Sequence, residues 1–181
     1  MFSNNNATTT QLIVNDYFTW RLKNKSSSTT TNRLFILVRR IGSESERMFS
    51  QQPVIDFRCI PSFRLNKFKN MHYVFANVLF NNRQITWSRI ITFISFSALI
   101  AEHLIKERKQ DNMDLIISSV VEWTTDFIDI NLHTWLESQN YWAGFLKIID
   151  KTPEQRNYIS RYVSIIEIIG IVTLGVLYMR Q

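Results

Sequence analysis

"TWSRIITFISFSALIAEHL" stands at residues 86–104 of the 181-residue chain. Between Ile90 and Ala101 every residue is apolar or carries a small hydroxyl group. A helix of this composition has no polar face, so it predicts a core helix that other helices enclose. Arg89 lies near its start, directly after a tryptophan and a serine. Because burial of an unpaired guanidinium is costly, Arg89 predicts either an internal ion pair or a site that binds a negative group.

The composition favours one helical domain. The chain is 45% hydrophobic and 20% charged, with only four glycines and three prolines. That is too few for the turns of a β-sandwich or barrel, so we predict an all-α fold. Cys59 is the single cysteine, which excludes an internal disulfide and a cysteine-cluster zinc site. The net charge of +6 is interspersed with acidic residues and does not indicate a nucleic-acid-binding surface.

The first part of the chain predicts three helices before the central one. Apolar residues at helical spacing indicate an amphipathic helix over residues 11–23. A second helix carries an apolar stripe from Leu34 to Ile41, with Gly42 just beyond it. A third helix follows Pro61, since proline cannot continue a preceding one.

After the central helix, Asp111 or Asn112 can cap a long helix whose apolar stripe runs from Met113 to Ile130. One or two short, tryptophan-rich helices follow, and the apolar segment near the C-terminus brings the total to about eight. We therefore divide the chain into a disordered N-terminus (residues 1–10), a helical domain (residues 11–152) and a C-terminal tail (residues 153–181).

Catalytic motifs are not visible in the sequence. His72, His103 and His133 lie far apart and form no HExxH pair. The sequence also contains no phosphate-binding glycine loop and no GxSxG motif. We therefore expect a binding protein rather than an enzyme, without a metal or cofactor.

Two stretches carry a resemblance to the Bcl-2 family of apoptosis regulators. The stretch of residues 86–104, in which Trp87 and Arg89 precede the apolar run, resembles the BH1 motif. "TWLESQNYWAGFLKII" resembles the BH2 motif. Its matching residues are Trp135, Leu136, Trp142, Gly144 and Phe145.

Two weaker matches precede them in the order that the family has. "VRRIGSE", which contains Val38, Ile41 and Gly42, resembles the BH3 core. "VNDYFTWRLKN", residues 14–24, is similar to the first-helix (BH4) motif.

Four substitutions depart from the family pattern. Thr86 replaces an asparagine, and Ser88 and Ser97 replace glycines of BH1. Ser43 stands where BH3 has an aspartate, with Glu44 one place later. Together with the abundance of isoleucine and asparagine, this drift predicts a virus-encoded copy, most plausibly from a poxvirus.

The resemblance implies an all-α, Bcl-2-like bundle with an apolar groove that binds the BH3 helix of another protein. The BH1 arginine of the family meets the aspartate of that helix, so Arg89 is expected to bind a carboxylate from a partner. Motif position and helical phase predict that the groove is lined by Met71, Phe75, Val78, Leu79, Asn82, Thr86, Thr92 and Phe96. The alternative is an internal ion pair of Arg89 with Asp56 or Glu102.

The function that the resemblance implies is suppression of apoptosis. The chain would sequester BH3 helices of pro-apoptotic proteins of the Bim, Bid, Puma, Bax and Bak type. Two alternatives within the same fold stay open: a groove-less viral inhibitor of NF-κB signalling, and a death-promoting protein that permeabilises membranes. The intact tryptophan and arginine of BH1 argue against the first.

The C-terminal tail contains an apolar segment, residues 163–179, that resembles the mitochondrial tail anchor of the family. At helical rise it spans about 26 Å, close to the roughly 30 Å of bilayer hydrocarbon. Arg161 precedes it and Arg180 follows it, whereas Glu167 opposes insertion. We predict an anchor in the mitochondrial outer membrane with the domain facing the cytosol. The alternative is a ninth helix folded over the groove.

Overall fold

The computed structural model describes residues 8–23, 30–50, 65–80, 85–107 and 112–151. The hydrophobic tail lies outside these ranges, as do residues 1–7 of the predicted disordered terminus. The described residues form seven α-helices, which confirms the all-α prediction. They are α1 (Thr9–Phe18), α2 (Arg33–Ser50), α3 (Leu65–Phe80), α4 (Trp87–Glu107), α5 (Met113–Asp126), α6 (His133–Ser138) and α7 (Tyr141–Lys151).

The helix α4 forms the centre of the bundle, as its sequence predicts. It packs against α1, α2, α3 and α5, and its residues from Ile90 to Ala98 are all buried. Its interior hydroxyl groups find acceptors within the helix: Ser95 donates to the Thr92 carbonyl at 2.9 Å and Ser97 donates to the Phe93 carbonyl at 2.7 Å. By length and composition α4 could span a membrane, yet 78% of its apolar stretch is buried in the bundle.

The second helix, α2, extends beyond its predicted apolar stripe and continues through Gly42 to Ser50. Gly42 lies inside the helix, where its missing side chain gives room to the ring of Tyr17 on α1. A Cβ atom built at Gly42 would lie 2.4 Å from Cε2 of Tyr17. The glycine therefore marks a close approach of two helices rather than a helix terminus.

Partly buried charges join α2 to α1 next to this contact. Arg39 binds Asp16 through two hydrogen bonds, of 2.9 Å from Nε and 2.7 Å from Nη2. The hydroxyl of Tyr17 donates to Glu46 at 2.7 Å. Burial and the neighbouring Glu46 carboxylate both raise the pKa of Tyr17, so its hydroxyl stays protonated and acts as a donor.

The helix α5 departs from its prediction at both ends. Asn112 occupies the N-cap position with a left-handed φ of 59°, but its side chain makes no capping hydrogen bond. Asp111, the other predicted cap, lies outside the described residues. At the other end, α5 continues as a π-helical turn over Phe127–Asn131. Because a π-turn rotates later residues off the apolar face, Ile130 is 72% exposed and does not join the predicted stripe.

Replacement of Gly42 by alanine tests the close contact of α1 and α2. Helix propensity alone predicts that Gly42→Ala stabilises an α-helix by about 1 kcal/mol. The Tyr17 ring leaves no room for a methyl group, so we expect destabilisation by about 1–3 kcal/mol instead. Denaturant unfolding measures the sign. Ser43→Ala, at the exposed neighbouring position, is the matched control and should stay within about 0.5 kcal/mol of the wild type.

His72 on α3 makes the stability of the bundle sensitive to acid. It is fully buried, and burial lowers its pKa to about 3, whereas an exposed histidine titrates near 6.5. Between these values the unfolded chain binds a proton that the folded chain does not. We therefore expect the free energy of unfolding to fall by about 1 kcal/mol for each pH unit below about 6.5.

The variant His72→Gln isolates this contribution, because glutamine does not titrate. Denaturant unfolding at pH 7 and at pH 4.5 should show a smaller loss of stability in His72→Gln than in the wild type. His133→Gln, a change at an exposed histidine, is the control. An equal loss in the wild type and His72→Gln would contradict the prediction.

Candidate functional site

The site is built around the first turn of α4. The hydroxyl oxygen of Thr86 accepts the backbone N–H of Arg89 at 3.3 Å, as an N-cap residue does. The hydroxyl of Ser88 lies 3.1 Å from that of Thr86. Thr86, predicted to line a groove, thus also begins the helix that positions Arg89.

The guanidinium of Arg89 joins the start of α4 to the end of α3. Its Nη1 donates to the backbone carbonyl of Leu79 at 3.3 Å. Arg89 is only 7% exposed and lies where the positive end of the α4 dipole meets the negative end of α3. The sequence predicted that Leu79 and Arg89 lie together, and they do, through the carbonyl rather than the leucine side chain.

The internal ion pair of Arg89 with Glu102 is wrong. Glu102 lies thirteen residues further along α4, about 20 Å away at helical rise. Its carboxylate binds Arg21 at 2.9 Å and Lys106 at 2.9 Å. Asp56, the other candidate, lies outside the described residues.

The tryptophans of the two recognised motifs meet at this end of the bundle. The ring of Trp87 lies 5.0 Å from that of Trp135, 5.1 Å from that of Trp142 and 5.4 Å from that of Phe145. The indole N–H of Trp142 donates to Thr10 of α1 at 3.1 Å. These contacts hold α6 and α7 against the start of α4, which is the packing role predicted for the motif residues.

Gly144 makes this arrangement possible at the turn between α6 and α7. A Cβ atom built there would lie 1.7 Å from the backbone oxygen of Gln139. No side chain fits at that distance, so α7 can approach the preceding turn only through a glycine.

A cavity of about 290 Å³ opens beside the first turn of α4. It lies between the start of α4 and the helices α2, α6 and α7, and none of the described residues that line it has an ionisable side chain. The indole N–H of Trp87 is buried and has no hydrogen-bond partner among the described residues. The cavity is lined by Ile41, Ile85, Thr86, Trp87, Ser88, Trp135, Gln139, Phe145, Ile148 and Ile149.

Several lining residues were not predicted from the sequence. Ile148 and Ile149 belong to the apolar run of α7, and their helical phase was the available signal. Gln139 lies in the turn before α7, where no pattern points to a role. Their position at the cavity depends on how α7 folds back towards α4.

The predicted groove residues on α3 pack against α4. Met71, Phe75 and Leu79 are buried, whereas Val78 is half-buried. The ring of Phe75 stacks on that of Phe96 with centroids 3.7 Å apart. Asn82 lies outside the described residues. The structure thus brings this set together as the packed face between α3 and α4.

Thr92, another predicted groove residue, faces α2 instead. Its hydroxyl lies 3.1 Å from that of Ser45, and both residues are buried. The stripe of α2 that contains Val38 and Ile41 is buried as well. Its apolar side is therefore part of the chain's own core.

Comparisons with known proteins agree with these motifs. A family model described as "Apoptosis regulator proteins, Bcl-2 family" matches residues 38–142. Apoptosis regulator R11 of Xenopus laevis is 28% identical over 101 residues, which are 52% of this chain and 47% of that protein. Apoptosis regulator R1 of the same species is 32% identical over 65 residues, 35% of this chain and 26% of that protein. The chain thus spans between a quarter and a half of these two relatives.

Apoptosis regulator BAX of Mus musculus is 23% identical over 125 residues, which are 69% of this chain and 60% of that protein. Among solved structures, that of Trichoplax adhaerens trBcl-2L2 bound to trBak BH3 superposes with a TM-score of 0.60 at 25% identity. The superposition covers 76% of this chain and 95% of that one. The helical bundle, with its central apolar helix, is therefore the fold of these regulators.

Proposed function

Because the chain belongs to the Bcl-2 family of apoptosis regulators, we propose that it suppresses apoptosis by binding the BH3 helices of pro-apoptotic proteins. Regulators of this family act by binding rather than by catalysis. The solved structure of trBcl-2L2 contains a BH3 segment, that of trBak, which supports the same kind of ligand for this chain.

The observation that carries the proposal is the position of Arg89. A guanidinium has five N–H donors in a rigid plane and stays charged at all physiological pH values. One donor of Arg89 binds the Leu79 carbonyl, which fixes the plane between α3 and α4. A ligand carboxylate that reaches this plane gains a charge-assisted hydrogen bond in a largely desolvated place. The aspartate of a BH3 helix supplies such a carboxylate.

The cavity supports the proposal through its size and chemistry. Its aromatic and isoleucine lining suits a large apolar side chain of an amphipathic helix. Ser88 lines the cavity, and Arg89 follows it directly in the chain. We propose that a ligand helix places an apolar anchor in the cavity and its carboxylate at Arg89. This open apolar space favours a groove-binding regulator over a groove-less inhibitor of NF-κB signalling.

The contacts of α2 favour a protector over a death-promoting protein. A chain that donates its own BH3 segment has to release the apolar stripe of α2. Here that stripe is buried, and the Arg39–Asp16 ion pair holds α2 on α1. Ser43 is exposed but lacks a charge, and Glu44 binds Arg47 of the same helix with a distance of 3.0 Å from Nε. We therefore assign the receiving role to this chain.

The proposed partners are BH3 helices of the Bim, Bid, Puma, Bax and Bak type. The proposed place is the mitochondrial outer membrane, because members of the family typically act at mitochondrial membranes. The relatives named above are all animal proteins, so the viral origin stays a prediction that rests on the sequence drift.

The pairing of Arg89 with a ligand aspartate can be measured by a double-mutant cycle. A BH3 peptide of the Bim type and its aspartate-to-alanine variant are titrated against the wild type and Arg89→Ala by calorimetry. A hydrogen bond to a charged group contributes about 1.5–3 kcal/mol. Arg89→Ala should therefore weaken the binding of the peptide that contains the aspartate roughly 10- to 150-fold. The affinity of the peptide with alanine in place of the aspartate should fall much less.

The cycle also separates binding from folding. Arg89→Ala loses the bond to the Leu79 carbonyl, so we expect the free energy of unfolding to fall by about 1–3 kcal/mol. This loss of folding stability lowers the affinity for both peptides by the same amount, so it cancels in the cycle. Arg40→Ala, at an exposed position of α2, is the matched control. An equal loss of affinity for both peptides would remove the carboxylate role from Arg89.

A peptide of residues 32–50, which contains the BH3-like core of α2, should bind prosurvival relatives poorly. Ser43 cannot make the charged contact, and Ser45 offers no apolar anchor. The matched peptide with Ser43→Asp should bind roughly 10- to 150-fold more tightly, since it restores the charge. Sub-micromolar binding of the unchanged peptide, measured by fluorescence anisotropy, would show that Glu44 replaces the aspartate.

A further inference from the structure

Three helices meet at one polar point in the core. The Nε2 atom of His72 on α3 lies 2.8 Å from the hydroxyl of Ser97 on α4 and 3.2 Å from the hydroxyl of Thr124 on α5. All three side chains are fully buried. The ring of His72 also lies 4.8 Å from that of Phe93 and 6.2 Å from that of Trp123. We call the three hydrogen-bonding residues the His72 hub.

The protons of the His72 hub can be assigned from its hydrogen bonds. Ser97 donates its hydroxyl proton to the carbonyl of Phe93 at 2.7 Å, and Thr124 donates to the carbonyl of Val120 at 2.7 Å. A hydroxyl group has one proton, so both oxygens can only accept from the imidazole. His72 therefore carries its proton on Nε2 and shares it between two acceptors.

This arrangement has a cost in stability. With the proton on Nε2, the Nδ1 atom is a bare acceptor, and it is buried without a hydrogen-bond partner among the residues that the structure describes. An apolar ring of similar shape would avoid that cost, and Ser97 and Thr124 would keep their carbonyl acceptors. A buried polar group that an apolar one could replace is expected to specify geometry rather than to add stability.

The geometry in question is the register of α3 on α4. Phe75 and Leu79 follow His72 by three and seven residues, so the three side chains share one face of α3. Along this face the helices touch through the His72–Ser97 hydrogen bond, the stacked ring of Phe75 and the bond from Arg89 to the Leu79 carbonyl. The two polar contacts are about 10 Å apart at helical rise.

Apolar residues of about the right size suffice to pack two helices together, whereas one well-ordered arrangement needs more specific contacts. A hydrogen bond is directional and weakens steeply when its angle or distance changes. When His72 fixes α3 on α4, the rotation of α3 about its axis and its position along α4 are both set. The Leu79 carbonyl then meets Arg89 in a single arrangement. The plane of the Arg89 guanidinium then depends on a residue that no ligand touches.

We propose that His72 is a positioning residue of the ligand site: its shared N–H fixes α3 on α4 and α5, and thereby orients Arg89 through the Leu79 carbonyl. The inference rests on the proposed function, since its measurement is the affinity for a BH3 helix. Ser97 takes part because its hydroxyl oxygen accepts the shared N–H of His72.

The test compares His72→Gln, His72→Asn and His72→Phe. The amide nitrogen of glutamine reaches the place of Nε2, whereas that of asparagine reaches only the place of Nδ1. His72→Gln should therefore keep the affinity for a Bim-type BH3 peptide within about twofold of the wild type, whereas His72→Phe and His72→Asn should lose roughly 5- to 30-fold. The melting temperature of His72→Phe should be unchanged or higher, because it removes the orphan acceptor. His103→Phe, the same change on α4 outside the hub, is the control.

A second measurement excludes a general effect on the fold. If His72 acts through Arg89, then His72→Phe should have no further effect on affinity in the Arg89→Ala background. Should His72→Phe fail to fold, the comparison of His72→Gln with His72→Asn decides in its place.

The outcomes are distinct. Wild-type affinity in both His72→Phe and His72→Asn overturns the positioning role and leaves the proposed function intact. A loss of affinity that His72→Gln does not rescue, or that adds fully to that of Arg89→Ala, shows a structural role and also overturns it. Failure of the wild type to bind any BH3 peptide overturns the proposed function, and the positioning role with it.

Discussion

The absence of a polar face on α4 is the constraint on which the rest of the structure depends. Every residue from Ile90 to Ala98 is buried, so helices have to cover α4 on all sides. At about 25 cal/mol per Å² of apolar surface, a helix of this length supplies much of the free energy that holds the bundle together. Its neighbours therefore bring an apolar face to α4, and their outer faces stay free for charge.

Charged contacts determine how the outer helices lie on each other. The ion pair of Arg39 and Asp16 joins α2 to α1. Arg21, in the π-helical turn Thr19–Lys23 that follows α1, binds Glu46 of α2 and Glu102 of α4. Such pairs add little net stability compared with apolar residues, but removal of one partner leaves the other charge without compensation. They make any release of α2 costly. This is the physical reason to regard the BH3-like segment as a wall of the domain rather than as a ligand.

The sequence predicted what depends on local pattern, and it failed where distant contacts decide. The burial of α4 followed from its apolar run, whereas the motifs marked Trp87, Trp135 and Trp142 without indicating that their rings meet. The exposure of Ile130 did not, because a π-turn has no apolar period of its own.

The continuation of α2 through Gly42 could not be predicted either, since the glycine is explained by the ring of Tyr17 twenty-five residues earlier. The cavity was hidden for the same reason. Its wall combines α2 with α6 and α7, and the close approach of α7 to the turn that precedes it depends on Gly144. Motif position found Arg89 and Leu79, but the carbonyl that joins them belongs to the backbone, which no side-chain pattern reveals.

The two serines at family glycine positions show how one kind of drift has two consequences. Ser97 lies in the core, where its hydroxyl donates to its own helix and accepts from His72, so the added atoms gain partners. Ser88 lies half-buried at the cavity, where its hydroxyl meets that of Thr86. The first change is absorbed by the packing of α3 on α4. The second alters a surface that a ligand would meet, since a hydroxymethyl group narrows the cavity and offers a hydrogen bond. Differences in ligand preference from related proteins are therefore expected at the cavity.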